Sequence, residues 1–125
     1  LSAENEYGIT LITLNEVYRE QMEPGAVPCA ERLAALRALH DAGCKTWVSI
    51  EPYPTPNMVE QDLHKLLEAV SFTDRIIFGR TNYSKVANSY EGHKHFYNKC
   101  AAEAVSFCQE HGIDYHIKGK TITEE

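Results

Sequence analysis

The chain has 125 residues, which is enough for one compact domain but only about half of the roughly 250 residues in a complete (β/α)₈ barrel. Hydrophobic residues make up 43% and charged residues 24%, an ordinary globular balance, and no apolar run approaches the ~18 residues that span a membrane. The net charge of −6 argues against strong binding of a phosphate backbone by this chain alone, because such binding needs clustered lysine and arginine.

Cysteine usage and the first residues of the chain both indicate a reducing compartment. The polar, acidic start lacks the features of a secretory signal, so we expect a cytoplasmic protein. The four cysteines are Cys29, Cys44, Cys100 and Cys108. No pair has CxxC or CxxxC spacing, so the sequence predicts buried free thiols and no metal site.

Strands and helices alternate along the chain. Apolar, β-branched runs predict four strands, at residues 8–14, 45–51, 75–79 and 113–118. Apolar residues at helical spacing predict four helices, at residues 16–22, 29–42, 58–70 and 91–111. Asn15 and Asn57 are the expected N-caps of the first and third helices, and Gly43 and Gly112 follow the ends of the second and fourth.

This alternation predicts an α/β fold with a parallel sheet and right-handed crossovers. The strands begin roughly 30–38 residues apart, a spacing typical of βαβ units. Together with the chain length, it predicts a single domain over residues 1–125. That domain would be the parallel four-stranded half of a TIM-like (β/α) barrel.

Polar side chains gather where the predicted strands end, which is where parallel α/β sheets carry their sites. Glu51, Arg80 and Lys118 could bring a carboxylate, a guanidinium and an ammonium group to one rim. The alternative is a set of solvated charges, or an ion pair between Glu51 and Arg80. Thr13 and Ser49 lie in apolar strands, and a buried hydroxyl needs a partner from the backbone or from a ligand.

Six segments add a recognisable order of motifs: ITLNE at 12–16, MEPGA at 22–26, PCAERLAALRALHDAG at 28–43, WVSIEP at 47–52, FGRTNY at 78–83 and YHIK at 115–118. In this order and spacing, they resemble radical S-adenosylmethionine (radical SAM) proteins. The branch they resemble is the one related to spore photoproduct lyase and DNA repair photolyase-like proteins. The resemblance extends from about residue 8 to residue 121.

The resemblance implies a six-stranded partial barrel of which this chain is the C-terminal portion, beginning near the fourth strand. The family's CxxxCxxC loop, which holds a [4Fe–4S] cluster, is absent from the sequence and would belong to an N-terminal part. In the family, the reduced cluster cleaves S-adenosylmethionine to a radical that removes hydrogen from the substrate. The parent would be a lyase-like enzyme, with nucleic-acid repair as the reaction that the family name suggests, and this portion alone would be inactive.

The resemblance also assigns cofactor contacts. Thr13 and Ser49 correspond to contacts with the ribose or methionine, and Glu51 to a contact with a ribose hydroxyl or the amino group. Phe78 and Gly79 would lie near the adenine.

The loop after the third strand would add Asn82 and Tyr83 above the cofactor. Arg80 stands where similar proteins often carry lysine, and it belongs to the same implied set of cofactor contacts. Lys118 is the implied substrate contact, and no metal ligand is implied for this chain.

Two other functions stay open. The chain could be a non-catalytic half-barrel module that binds a nucleotide-like ligand or a partner. It could also belong to another barrel enzyme that uses Glu51, Arg80 and Lys118 in acid–base catalysis. Because a half barrel has two open edges, we expect it to pair with its own N-terminal half or, as an isolated chain, to form a homodimer. Nucleic acid would bind only through the missing part, and no membrane is involved.

Overall fold

The computed structural model describes residues 5–81 and 84–125. Asn82 and Tyr83, two of the expected cofactor contacts, lie outside the described residues. Within the described ranges the elements are, in order, β1 (Glu6–Thr10), α1 (Glu16–Met22), α2 (Cys29–Asp41), β2 (Lys45–Tyr53), α3 (Leu63–Ala69), β3 (Arg75–Arg80), α4 (Lys85–Asn88), α5 (His93–His111) and β4 (Asp114–Ile117).

The strands form one parallel sheet in the order β1-β2-β3-β4, which confirms the predicted α/β class and strand direction. Each strand lies beside the next one along the chain. Right-handed crossovers between such neighbours all lie on the same side of the sheet. Accordingly, α2 packs on β1 and β2, and α5 packs on β3 and β4. A doubly wound sheet would instead carry helices on both sides.

The two sides of the sheet differ in burial. Alternate residues of β2 and β3 point into the helices and are at most 1% exposed: Thr46, Val48, Ile50, Ile76 and Phe78. The residues between them point away from the helices: Trp47, Ser49, Glu51, Ile77 and Gly79. We call the first side the helix face and the second the open face. The apolar core, which includes Leu36, Leu67 and Tyr97, lies on the helix face.

Local signals placed several helix ends correctly. The Asn15 side chain accepts a hydrogen bond from the Tyr18 amide at 3.0 Å and begins α1 as predicted. Gly43, at φ +90°, and Gly112, at φ +65°, follow the ends of α2 and α5. Both glycines adopt the left-handed conformation that terminates helices.

The first strand ends earlier than predicted, at Thr10 rather than at residue 14. Beyond the strand, the carbonyl groups of residues 12 and 13 accept hydrogen bonds from side chains and not from a neighbouring strand. The Ile12 carbonyl accepts from Gln61 Nε2 at 2.9 Å, and the Thr13 carbonyl accepts from Cys29 Sγ at 3.2 Å. These side-chain hydrogen bonds take the place of backbone hydrogen bonds between strands, and Thr13 stays buried.

The third helix is shorter than predicted, and the proposed Asn57 cap is wrong. Asp62 begins α3 by accepting from the His64 amide at 2.9 Å. The Asn57 side chain instead accepts from the Thr55 hydroxyl and donates to the Val86 carbonyl at 2.8 Å. It therefore links the loop after β2 to α4, a short helix where we predicted a loop.

Strand β2 runs through Pro52 to Tyr53, beyond the predicted end at residue 51. Its register with β3 shifts between Ile50 and Tyr53. Glu51 and Pro52 therefore stand opposite Gly79 alone, as in a β-bulge, which is one of the few places where a sheet accepts proline. The extra residue turns Tyr53 back onto the helix face, where it is 2% exposed.

Of the helices in the described part of the chain, none is long and apolar enough to cross a bilayer.

Candidate functional site

Strand β2 presents a row of three side chains on the open face: Trp47, Ser49 and Glu51. Two glycines of the neighbouring strands make room for this row. A methyl group at Gly8 would overlap the Trp47 indole, and one at Gly79 would lie 2.5 Å from Glu51 Oε2. The indole therefore lies across β1, whereas the carboxylate lies across β3.

The carboxyl end of the open face brings together a carboxylate, a glycine and a lysine. Glu51 is partly buried, and none of the described residues forms an ion pair or a hydrogen bond with its carboxylate. Lys118 follows β4, and its amide donates to the Phe78 carbonyl at 2.9 Å. Strand alternation then places the exposed Lys118 side chain on the open face, beyond Gly79. Hydroxyl or ammonium groups of a ligand could donate to Glu51, and an anionic group could bind Lys118.

Phe78 and Arg80 lie on the opposite side of the sheet from Glu51. Phe78 is 0% exposed, and its ring centroid is 5.4 Å from that of Tyr53. The Arg80 guanidinium is 4.8 Å from the centroid of the Tyr97 ring in α5. The structure therefore does not bring Glu51, Arg80 and Lys118 to one face, and Glu51 and Arg80 form no ion pair. The physical reason is the alternation along β3, which gives the open face to Ile77 and Gly79 and the helix face to their neighbours.

The Thr13 hydroxyl is fully engaged within the protein. It donates to Gln61 Oε1 at 2.6 Å and accepts from the Asn15 amide at 3.0 Å, while the residue is 2% exposed. Gln61 thus links the loop before α3 to the segment that follows β1. Sequence reasoning missed this residue, because no local pattern links two positions 48 apart.

The four cysteines are free and buried, as predicted. Burial raises the pKa of Cys29 to about 11 and that of Cys100 to about 12. Both thiols are therefore protonated at neutral pH. In residues 5–81 and 84–125, no three side chains of His, Cys, Asp or Glu could together hold a metal ion. The described residues do not fit an iron–sulfur cluster.

No protein-family model, curated protein or solved structure matches this chain. The function of this chain is therefore inferred from the chemistry of its open face.

Proposed function

We propose that this chain is the C-terminal part of a radical SAM enzyme and that its open face holds S-adenosylmethionine. One observation carries the proposal: the Glu51 carboxylate lies over Gly79, partly buried and without a partner among the described residues. Such a group is suited to accept hydrogen bonds from ribose hydroxyls or an amino group. The ordered motifs from residue 12 to residue 118 resemble those of radical SAM proteins, and this resemblance is the reason for proposing S-adenosylmethionine as the ligand.

The proposed barrel is supported by the one-sided placement of the helices. A sheet with strands in sequential order and helices on one face is the arrangement found in (β/α) barrels, where the other face lines the interior. We propose that the open face is such an interior, that the parent protein's N-terminal part covers it, and that this part supplies the iron–sulfur cluster.

The described residues fit S-adenosylmethionine better than they fit the cluster. Gly79 leaves space for the Glu51 side chain, and Ser49 and Glu51 both project from β2 on the open face. When bound to a reduced cluster, the cofactor supplies a carbon radical that removes hydrogen from a substrate. In this proposal Glu51 and Ser49 orient the cofactor, and Trp47 and Ile77 help to exclude water. Phe78 packs in the core on the helix face and does not touch the ligand.

The test begins with the coding sequence upstream of residue 1, in which we expect a CxxxCxxC loop. The full-length protein, reconstituted with iron and sulfide, should show a cluster signal by electron paramagnetic resonance and release 5′-deoxyadenosine from S-adenosylmethionine. Glu51→Gln should raise the apparent dissociation constant for the cofactor by about ten- to a hundredfold, since a hydrogen bond to a charged group contributes about 1.5–3 kcal/mol. Glu110→Gln, at an exposed position of α5, is the matched control.

The outcomes separate the candidate functions. Absence of the cysteine loop, or a cofactor affinity that Glu51→Gln leaves unchanged, would contradict the proposal. Binding of S-adenosylmethionine by this chain alone, in a parent without a cluster, would favour the non-catalytic ligand-binding module instead.

A further inference from the structure

A positive charge is buried at the carboxyl end of β3 without a negative partner. Arg80 is 8% exposed, yet no carboxylate of the described residues lies within 4.0 Å of its guanidinium. Buried arginines are ordinarily paired, because an unpaired charge loses its hydration without compensation. The missing partner therefore requires an explanation.

The described residues supply no acidic partner. Of the chain's 18 acidic residues, 17 lie in the described ranges, and none of these 17 forms an ion pair with Arg80. A counter-anion for Arg80 therefore has to come from outside the described residues.

One edge of the guanidinium, formed by Nε and Nη2, is available to bind such an anion. Its Nη2 atom donates to Asn88 Oδ1 at 3.1 Å, whereas its Nε atom is buried and has no acceptor among the described residues. Nε and Nη2 form the side of an arginine that binds carboxylate or phosphate through two parallel hydrogen bonds. The Asn88 oxygen thus occupies one of the two oxygen positions, and the other is unfilled.

The neighbouring side chains of Tyr97 and Asn88 determine how the guanidinium is held and how an anion could reach it. The Tyr97 ring lies against the guanidinium and is fixed by a 2.6 Å hydrogen bond from its hydroxyl to the Tyr53 carbonyl. Asn88 is exposed, so its side chain can turn away from the guanidinium into solvent.

We propose that Arg80 binds a small oxyanion, a phosphate or carboxylate group, through Nε and Nη2, and that this group displaces the Asn88 side chain. The site is separate from the one proposed for S-adenosylmethionine, because Arg80 lies on the helix face and Glu51 on the open face. Failure of either proposal therefore leaves the other intact.

The experiment measures the melting temperature of the chain in chloride, inorganic phosphate and acetate at constant ionic strength. At about five times its dissociation constant, a bound oxyanion should raise the melting temperature by about 3–6 °C relative to chloride. Arg80→Met should abolish this rise and leave the value in chloride unchanged or higher, because an apolar side chain removes an uncompensated charge. Arg75→Met, which alters an exposed arginine at the other end of β3, is the matched control and should keep the full response.

Asn88→Asp provides a second test because it supplies the missing carboxylate within the chain. It should raise the melting temperature in chloride and remove the response to added oxyanion. A response to phosphate alone identifies a phosphate ligand, and a response to acetate alone identifies a carboxylate ligand. If Arg80→Met does not fold, the Nε–H resonance of Arg80 in the unaltered protein decides the question and should shift as the oxyanion is added. Equal melting temperatures in all three salts, or an unchanged response in Arg80→Met, would overturn the proposal.

Discussion

The two faces of the sheet are built from alternate residues of the same strands but serve different purposes. The helix face carries a continuous apolar core in which Val48, Ile50 and Phe78 are 0% exposed. The open face carries an indole, a hydroxyl and an unpaired carboxylate arranged around two glycines. The first arrangement maximises burial, whereas the second leaves the Glu51 carboxylate without a partner among the described residues. We infer that the helix face stabilises the fold and that the open face is reserved for binding.

The largest expected effect compares two adjacent isoleucines on opposite faces of β3. Ile76 is 1% exposed on the helix face, while Ile77 is partly buried on the open face. Ile76→Ala should lower the free energy of unfolding by about 2–5 kcal/mol, the usual loss for a fully buried isoleucine. Ile77→Ala should cost about 1 kcal/mol, because less apolar surface returns to water. Urea denaturation of both variants measures the difference, and equal losses would show that the open face is packed as tightly as the core.

This contrast between faces is the part of the fold that the sequence predicts well. Alternation along a strand and the β–α order depend on neighbouring residues, so Trp47, Ser49 and Glu51 could be assigned to one face in advance. The bulge at Glu51 and Pro52 could not, because it depends on how β2 aligns with β3. The same applies to the Thr13–Gln61 and Asn57–Val86 hydrogen bonds, which join positions far apart in the chain.

The next effect concerns the glycine beneath the indole on the open face. Gly8→Ala would place a methyl group within the space of the Trp47 ring, and overpacking of this kind costs about 1–3 kcal/mol. Gly119→Ala is the control, because nothing lies within 4 Å of that position, and it should change stability by less than about 0.5 kcal/mol. Combining Gly8→Ala with Trp47→Leu should recover part of the loss. Thermal unfolding of the three variants tests the contact, and absence of recovery would place the cost of Gly8→Ala elsewhere.

The candidate site was less predictable than the fold for the same reason. The residue types at the strand ends were visible in the sequence, but their grouping was not. Arg80 ends β3 and Glu51 lies near the end of the neighbouring strand β2, and only the register shows that they face opposite sides of the sheet. The missing partner of Arg80 is likewise a property of the whole surrounding structure, which no motif reveals.

The smallest effect is electrostatic and concerns Glu16 on the helix that follows β1, away from the two faces of the sheet. A hydrogen bond from Arg19 to the Glu16 carboxylate, at 2.7 Å, and a second from the Cys29 amide lower the pKa of Glu16 from 4.5 to about 2. Because the pKa is lower in the folded state, this pairing stabilises the fold above pH 4.5 and is lost as the pH falls from 4.5 towards 2. Melting temperatures measured across this range should fall less steeply for Glu16→Gln than for the unaltered protein. A curve for Glu16→Gln that falls as steeply as that of the unaltered protein would contradict a stabilising role for this pairing.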